Sequence, residues 1–93
     1  MSDDIDVSDN TGQHRYEASR GADQLGFAAY ELDDRTITFT HTEVAPAAEG
    51  QGIGSILVRA ALDDARARGL TVRARCPFVK AFVARHREYQ DLL

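Results

Sequence analysis

The stretch that decides the fold runs from Val44 to Leu57 and reads VAPAAEGQGIGSIL. It follows a segment typical of a β-strand and leads into one typical of a helix. Glycines stand at alternate positions, Gly50, Gly52 and Gly54, where they allow a tight turn and let bare backbone N–H groups approach a ligand. Because a helix N-terminus adds unpaired donors and a positive dipole end, this stretch predicts a site for a phosphate or pyrophosphate.

The spacing of the glycines excludes two common phosphate loops. The P-loop requires a Lys after its last glycine, and none lies here. The dinucleotide fingerprint would place Ser55 or Leu57 at a position that requires Gly or Ala. Taken alone, the stretch has a simpler alternative interpretation, a glycine-rich turn that precedes a helix.

Length and composition describe one small domain. The chain has 93 residues, of which 43% are hydrophobic, enough for a single core. No apolar run approaches the length of a membrane span, so no membrane association is expected. The single cysteine, Cys76, excludes an internal disulfide, and no metal site is predicted. We therefore expect a cytoplasmic protein.

Charge is distributed unevenly along the chain, whose net charge is −4. Residues 1–12 are rich in Asp and contain no Lys or Arg, which predicts a disordered acidic tail before a domain over residues 13–93. The part from Arg59 onward is basic, which suits a polyanionic cofactor or an ordinary solvated surface. Aromatic and basic residues do not alternate, so nucleic-acid binding is not expected.

Alternating apolar and polar residues predict three strands that form an antiparallel meander. These strands are Arg15–Ser19, Gln24–Leu32 and Thr36–Val44. A helix follows from Gln51 or Gly52 to Arg68. Its apolar stripe is expected to comprise Ile53, Ile56, Leu57, Ala60, Ala61 and Ala65. A further strand, Leu70–Cys76, ends before Pro77, which begins a final helix. The apolar side of that helix is expected to carry Phe78, Phe82 and either Val79 or Val83.

A strand–helix–strand unit of this kind implies a right-handed crossover between parallel strands. Ligands of such units bind beyond the carboxyl ends of the strands. Val44 and Cys76 mark these two ends, so the glycine stretch and the turn after Cys76 are expected to converge. This convergence favours a ligand-binding loop over a plain turn.

One face of the third predicted strand begins apolar and ends polar, running from Ile37 and Phe39 to His41 and Glu43. Acylation of an amine requires that a base remove a proton, so His41 and Glu43 are candidate catalytic residues, and Glu43 lies nearer the glycines. The alternative is that both are rim residues bonded to the neighbouring strand. Cys76 is a candidate nucleophile if a base activates it, and otherwise a buried apolar residue or a pocket contact.

Three segments together resemble a known family. They read HTEV, EGQGIGSILV and RARCPFVKAFVARHREYQDLL. The chain is similar, over about residues 14–93, to the small GCN5-related N-acetyltransferase-like (GNAT-like) proteins of the YjdJ type. The resemblance implies an α/β fold with a mixed sheet: an antiparallel three-strand meander, a central helix, a parallel splayed strand and a C-terminal helix. It also implies that acetyl-CoA binds in the splay as cosubstrate.

The resemblance also implies which residues bind acetyl-CoA. Backbone groups near Val44 and Pro46 would contact the acetyl-pantetheine arm. Backbone N–H groups along the glycine stretch would hold the pyrophosphate, from Gly50, Gln51, Gly52, Ile53, Gly54 and Ser55. The opposite wall would be formed by Cys76, Phe78, Val79 and Phe82.

Two positions depart from the family pattern. Glu49 stands where Gln or Arg is usual, and its carboxylate should repel a pyrophosphate unless it points to solvent. Val83 stands where many members of the larger family carry a Tyr general acid. The chain also lacks the flanking elements that usually enclose the acceptor, which suits a protein or peptide amine.

The sequence therefore predicts an acetyl-CoA-dependent N-acetyltransferase acting on a primary amine, such as a protein lysine or an N-terminal amine. A non-catalytic module that binds acetyl-CoA or CoA is the alternative, and a protein-interaction domain without cofactor is a weaker one. A monomer or a weak homodimer is expected.

Overall fold

The computed structural model describes residues 5–93 and contains one five-stranded sheet with two helices. In chain order the elements are β1 (Asp6–Asn10), β2 (Arg15–Arg20), β3 (Asp23–Asp33), β4 (Thr36–Val44), a 3-10 turn (Pro46–Ala48), α1 (Ile53–Ala67), β5 (Thr71–Ala74), α2 (Pro77–Arg85) and a 3-10 segment (Arg87–Leu92). The strands follow one another across the sheet in sequence order. The first four are antiparallel, and β5 runs parallel to β4. The predicted fold class is confirmed.

Strand β1 corrects the prediction of a disordered tail over residues 1–12. Residues 6–10 pair along their whole length with β2, so the meander has four antiparallel strands and the domain begins before residue 13. The acidic Asp9 explains the difference, because its carboxylate accepts hydrogen bonds from the Tyr30 hydroxyl (2.6 Å) and from Arg68 Nη1 (3.2 Å). These partners lie far away in sequence. Residues 1–4 of the predicted tail lie outside the described residues.

Both helices pack against one face of the sheet. Arg59 of α1 lies over the rings of Phe82 and Tyr89, each 5.6 Å from the guanidinium carbon, so the chain from α2 onward runs beside α1. The opposite face of the sheet is not covered by any element within residues 5–93. None of the described helices is long and apolar enough to cross a bilayer.

The core-facing side of α1 differs in part from the predicted stripe. Ile56 is 38% exposed, whereas Val58 and Leu62, which the prediction omitted, are almost completely buried. The buried residues of this helix are Ile53, Gly54, Leu57, Val58, Ala61, Leu62 and Ala65. In α2 both valines, Val79 and Val83, are buried with Phe82.

Strands β4 and β5 separate after a short paired region. Their register runs from Thr36 opposite Thr71 to Phe39 opposite Ala74. The N–H groups of Arg75 and Cys76 then both donate to the Phe39 carbonyl, at 3.0 and 2.9 Å, and the chain turns into α2. Residues 40–44 of β4 therefore continue without a partner on this edge.

Candidate functional site

The glycine stretch forms the turn between β4 and α1. Gly50 and Gly52 have φ values of +86° and +75°, a region that side chains disfavour, so glycine is strongly favoured at both. Gly52 is the N-cap of α1, and no side chain caps the helix. The first turn also contains no acidic residue. Its N–H groups remain available to an anion at the positive end of the helix dipole.

A depression of about 230 Å³ lies at this turn. It is lined by Val44, Ala48, Glu49, Gly50, Gly52, Ile53, Gly54, Ser55 and Phe78. The glycine turn and Phe78, from the turn after Cys76, therefore meet at one concave surface, as the sequence predicted.

Phe78 forms the far wall of this depression, and it does so by contact with Gly54. A Cβ at residue 54 would lie 2.7 Å from Phe78 Cζ, so only glycine lets the ring approach this closely. Phe78 is 40% exposed, which corrects its predicted place on the apolar side of α2. The other predicted wall residues, Cys76, Val79 and Phe82, are buried in the core and do not line the depression.

Glu49 and Gln51 are both exposed. Glu49 lines the depression and is exposed, so it stands at the rim of the place where an anion would bind. The side chain of Gln51 accepts a hydrogen bond from Arg20 Nη2 at 3.3 Å. Arg20 ends β2 and brings a positive charge near the turn, which the sequence analysis did not foresee.

A bulge in β4 decides where the candidate bases point. The register with β3 shifts by one residue between Ala29 opposite His41 and Tyr30 opposite Phe39, leaving Thr40 without its own partner. Side chains beyond the bulge therefore change faces. His41 and Glu43 lie on the open face, not on the face of Ile37 and Phe39 as predicted.

On the open face, the two candidate bases are neighbours. His41 Nε2 lies 3.7 Å from Glu43 Oε2, and both side chains are more than half exposed. The His41 ring also lies 6.0 Å from that of Phe27 on β3. This is the rim position that the sequence analysis gave as the alternative, and it leaves both groups accessible to an acceptor from solvent.

Thr42 lies on the helix-covered face of the sheet, where the sequence predicted His41 and Glu43. Its Oγ1 lies 3.3 Å from Cys76 Sγ. Cys76 is only 3% exposed, and within the described residues neither His41 nor His86 is hydrogen-bonded to the thiol. His86 instead pairs through Nδ1 with the Phe82 carbonyl at 2.7 Å. The structure brings Cys76 to the point of splay without bringing it a base.

The bare edge of β4 presents backbone groups. Ala45 N–H donates to the Leu25 carbonyl on β3 at 2.8 Å, which directs the backbone groups of residues 41, 43 and 45 toward β3. Because these directions alternate along a strand, the N–H and C=O groups of Thr42 and Val44 point to the edge that β5 has left. Such an edge binds extended, amide-containing groups.

Comparison with known proteins agrees with this geometry. A family model described as GCN5-related N-acetyl-transferase matches residues 15–92. The chain belongs to this family. No functionally curated protein matches the chain.

Solved structures of other family members are similar to this chain. A GCN5-like candidate N-acetyltransferase from Staphylococcus aureus is 28% identical, with a TM-score of 0.73, over 99% of this chain and 89% of that one. A GNAT-family candidate acetyltransferase from Desulfovibrio desulfuricans (25% identical, TM-score 0.57) and an IAA acetyltransferase from Bacillus cereus (27%, 0.55) each align with 64% of this chain. The chain spans 41% of each of these two longer proteins. Family and neighbours together support acetyl transfer as the general activity.

Within the GCN5-related N-acetyltransferase fold of this chain, two residues contribute to the site that were not predicted from the sequence. Thr42 was assigned no role, because only the bulge turns its side chain toward Cys76. Arg20 was not considered, because it reaches the turn from a strand remote in sequence. Val83, at the position of a general-acid Tyr in many relatives, is buried in the core.

Proposed function

We propose that this GCN5-related N-acetyltransferase is an acetyl-CoA-dependent enzyme that acetylates a primary amine on a protein or peptide, a lysine or an N-terminus. One observation carries the proposal: the bare edge of β4 leads directly to the uncapped start of α1. An extended, amide-containing arm with a diphosphate at its end matches that pair of features.

The residues present fit the donor. Gly50 and residues 52–55 line the depression at the positive end of α1, where their N–H groups would hold the pyrophosphate, whereas Gln51 does not line it. The edge groups of Thr42 and Val44 would pair with the pantetheine amides, and Pro46 follows two residues later in the chain. Cys76 lies behind this edge, with its thiol 3.3 Å from Thr42 and only 3% of its surface exposed, and so does not present a free wall to the arm. Glu49, an exposed residue at the rim of the same depression, brings a negative charge that opposes this binding.

Acetyl-CoA, when bound, supplies an acetyl group activated as a thioester. The chain's own part is to accept the proton that the attacking amine loses, and Glu43 and His41 are the proposed bases on the open face. The edge N–H groups of Thr42 and Val44 are the donors available to the negative charge that develops on the acetyl oxygen.

The acceptor class follows from how open this face is. His41 and Glu43 are exposed, and no described element encloses them, so a large acceptor can reach them. A protein or peptide amine therefore fits better than a small molecule that needs an enclosing pocket. Activity on free polyamines without activity on any polypeptide would contradict this choice.

Substituting Glu43 by Gln tests the catalytic proposal. Acetyl-CoA should bind Glu43→Gln as it binds the wild type in calorimetry, because Glu43 lies on the open face of the sheet and does not line the depression at the glycine turn. Transfer to a lysine peptide should slow by about 100-fold or more, the usual contribution of a general base. The matched control is Glu31→Gln, which removes an exposed carboxylate on the neighbouring strand β3 and should retain full activity. Equal rates for both variants would remove Glu43 from the mechanism.

A non-catalytic acetyl-CoA or CoA-binding module remains the second candidate. Glu49 at the depression and Val83 in the core are the observations that favour it. It predicts that acetyl-CoA binds but that no amine is acetylated by the wild type. Absence of any binding in the same titration would contradict both candidates. Cytoplasmic location and a monomer or weak homodimer stay predictions.

A further inference from the structure

The guanidinium of Arg20 lacks a full set of partners. Its Nε is shielded from solvent and has no hydrogen-bond acceptor among residues 5–93. Its Nη2 donates only to the neutral side chain of Gln51, at a long 3.3 Å. Within the described residues, no carboxylate forms an ion pair with it, unlike Arg15, Arg59, Arg66 and Arg68. A shielded donor without an acceptor is costly, and the Nη groups of the same guanidinium have no charged partner among the described residues, which leaves them available to an anionic ligand.

Arg20 lines a groove of about 500 Å³ together with Gln51, Gln24 and Asp23. Ala48 lines both this groove and the depression at the glycine turn, so the two are adjacent. The hydrogen bond from Arg20 places Gln51 between the groove and the start of α1. A ligand whose diphosphate sits at the turn can place a further anionic group beside Gln51 and Arg20.

We propose that Arg20 binds the 3′-phosphate of coenzyme A. This inference rests on the proposed function, because it assumes that the diphosphate occupies the amides of residues 50–55. The 3′-phosphate is the remaining anionic group of the cofactor, and it carries nearly two negative charges at neutral pH. Arginine donates to phosphate oxygens through a planar fork, which would supply the acceptors that Arg20 lacks.

The negative charges near the depression and the groove favour a cation at this place. Glu49 brings a negative charge to the depression where relatives have Gln or Arg, and Asp23 lines the groove itself. A dianion would be repelled by both carboxylates if no cation stood between them. Arg20 reaches this place from β2 and offsets that repulsion.

Calorimetric titration of Arg20→Gln with CoA and with dephospho-CoA, which lacks the 3′-phosphate, tests the assignment. The dissociation constant for CoA should rise roughly 10- to 100-fold, the usual loss for a charge-assisted hydrogen bond. The constant for dephospho-CoA should stay within about twofold of the wild type. Arg20→Lys should recover part of the CoA affinity. Arg73→Gln, an exposed site of equal charge change on β5, should bind both compounds as the wild type does.

Each other outcome overturns the assignment. Equal losses for CoA and dephospho-CoA would place Arg20 on the diphosphate, and unchanged affinity for both would remove it from the site. Thermal melting of each variant without ligand shows whether the domain is folded, and the lysine variant provides the comparison if Arg20→Gln is unstable. A wild type that binds neither compound would overturn the proposed function itself, whereas normal wild-type binding with an unaffected Arg20→Gln overturns this inference alone.

Discussion

Replacing Gly54 by Ala should weaken cofactor binding without unfolding the domain. The new Cβ would lie 2.7 Å from Phe78 Cζ and 3.2 and 3.3 Å from the two Cε atoms. Carbon atoms prefer to stand about 3.5 Å or more apart, so the ring must retreat by roughly 1 Å. Because Phe78 is 40% exposed and begins α2, it can move toward solvent. The wall of the depression then moves with it.

The expected effect on stability is small. Alanine favours a helix by up to about 1 kcal/mol over glycine, which offsets the lost ring contact, so the unfolding free energy should change by about 1 kcal/mol or less. Loss of a shaped wall should raise the dissociation constant for acetyl-CoA about tenfold, an effect of about 1.4 kcal/mol. Calorimetry gives the affinity, and urea unfolding gives the stability.

Two further variants separate the causes. Gly12→Ala makes the same chemical change in the β1–β2 turn, where the added Cβ meets only Asn10 Oδ1 at 3.6 Å, and should leave binding unchanged. Removing the ring in the double variant Gly54→Ala/Phe78→Ala should abolish the clash. If folded Gly54→Ala binds acetyl-CoA with wild-type affinity, the contact between Gly54 and Phe78 does not shape the site.

Two predictions concern stability. Leu62→Ala should lower the unfolding free energy in urea by about 2–5 kcal/mol, whereas Ile56→Ala on the exposed side of the same helix should cost about 1 kcal/mol or less; equal losses would contradict the observed core. Burial, followed by the hydrogen bond to Asp9, raises the pKa of Tyr30 from 10.0 to about 12. Since the folded state holds the proton more tightly than the unfolded state, this stabilisation is complete below pH 10 and is lost as the pH rises toward 12, by about 2–3 kcal/mol of unfolding free energy. The unfolding free energy of Tyr30→Phe should lack this part of the decrease between pH 10 and 12.

The sequence predicted those parts of the fold that local spacing controls. Helix α1 begins where alternate glycines end and stops before Gly69, and the limits of β3 and β4 lie within about one residue of their alternating patterns. Turn glycines and apolar periodicity act between neighbours in the chain, so one sequence is enough to recognise them. The convergence of the glycine turn with the turn into α2 followed from the crossover rule, and Phe78 lies there beside Gly54.

The features that the sequence did not predict depend on distant contacts. Strand β1 has the composition of a solvated tail, and its Asp9 finds Arg68 and Tyr30 only once the sheet and α1 have come together. The side of β4 that carries His41 could not be predicted either, because strict alternation was assumed and nothing local marks Thr40 as an extra residue.

The bulge at Thr40 lets β4 carry one residue more than its partner strand, and this extra residue decides which side chains face the core. If β4 kept all its residues but paired with β3 without the bulge, strict alternation would carry His41 and Glu43 into the apolar layer beneath the helices. Deleting Thr40 has the opposite consequence, because Phe39 opposite Tyr30 and His41 opposite Ala29 would then follow each other in a regular register. A strand shortened by this one residue should therefore keep the same side chains inside and outside.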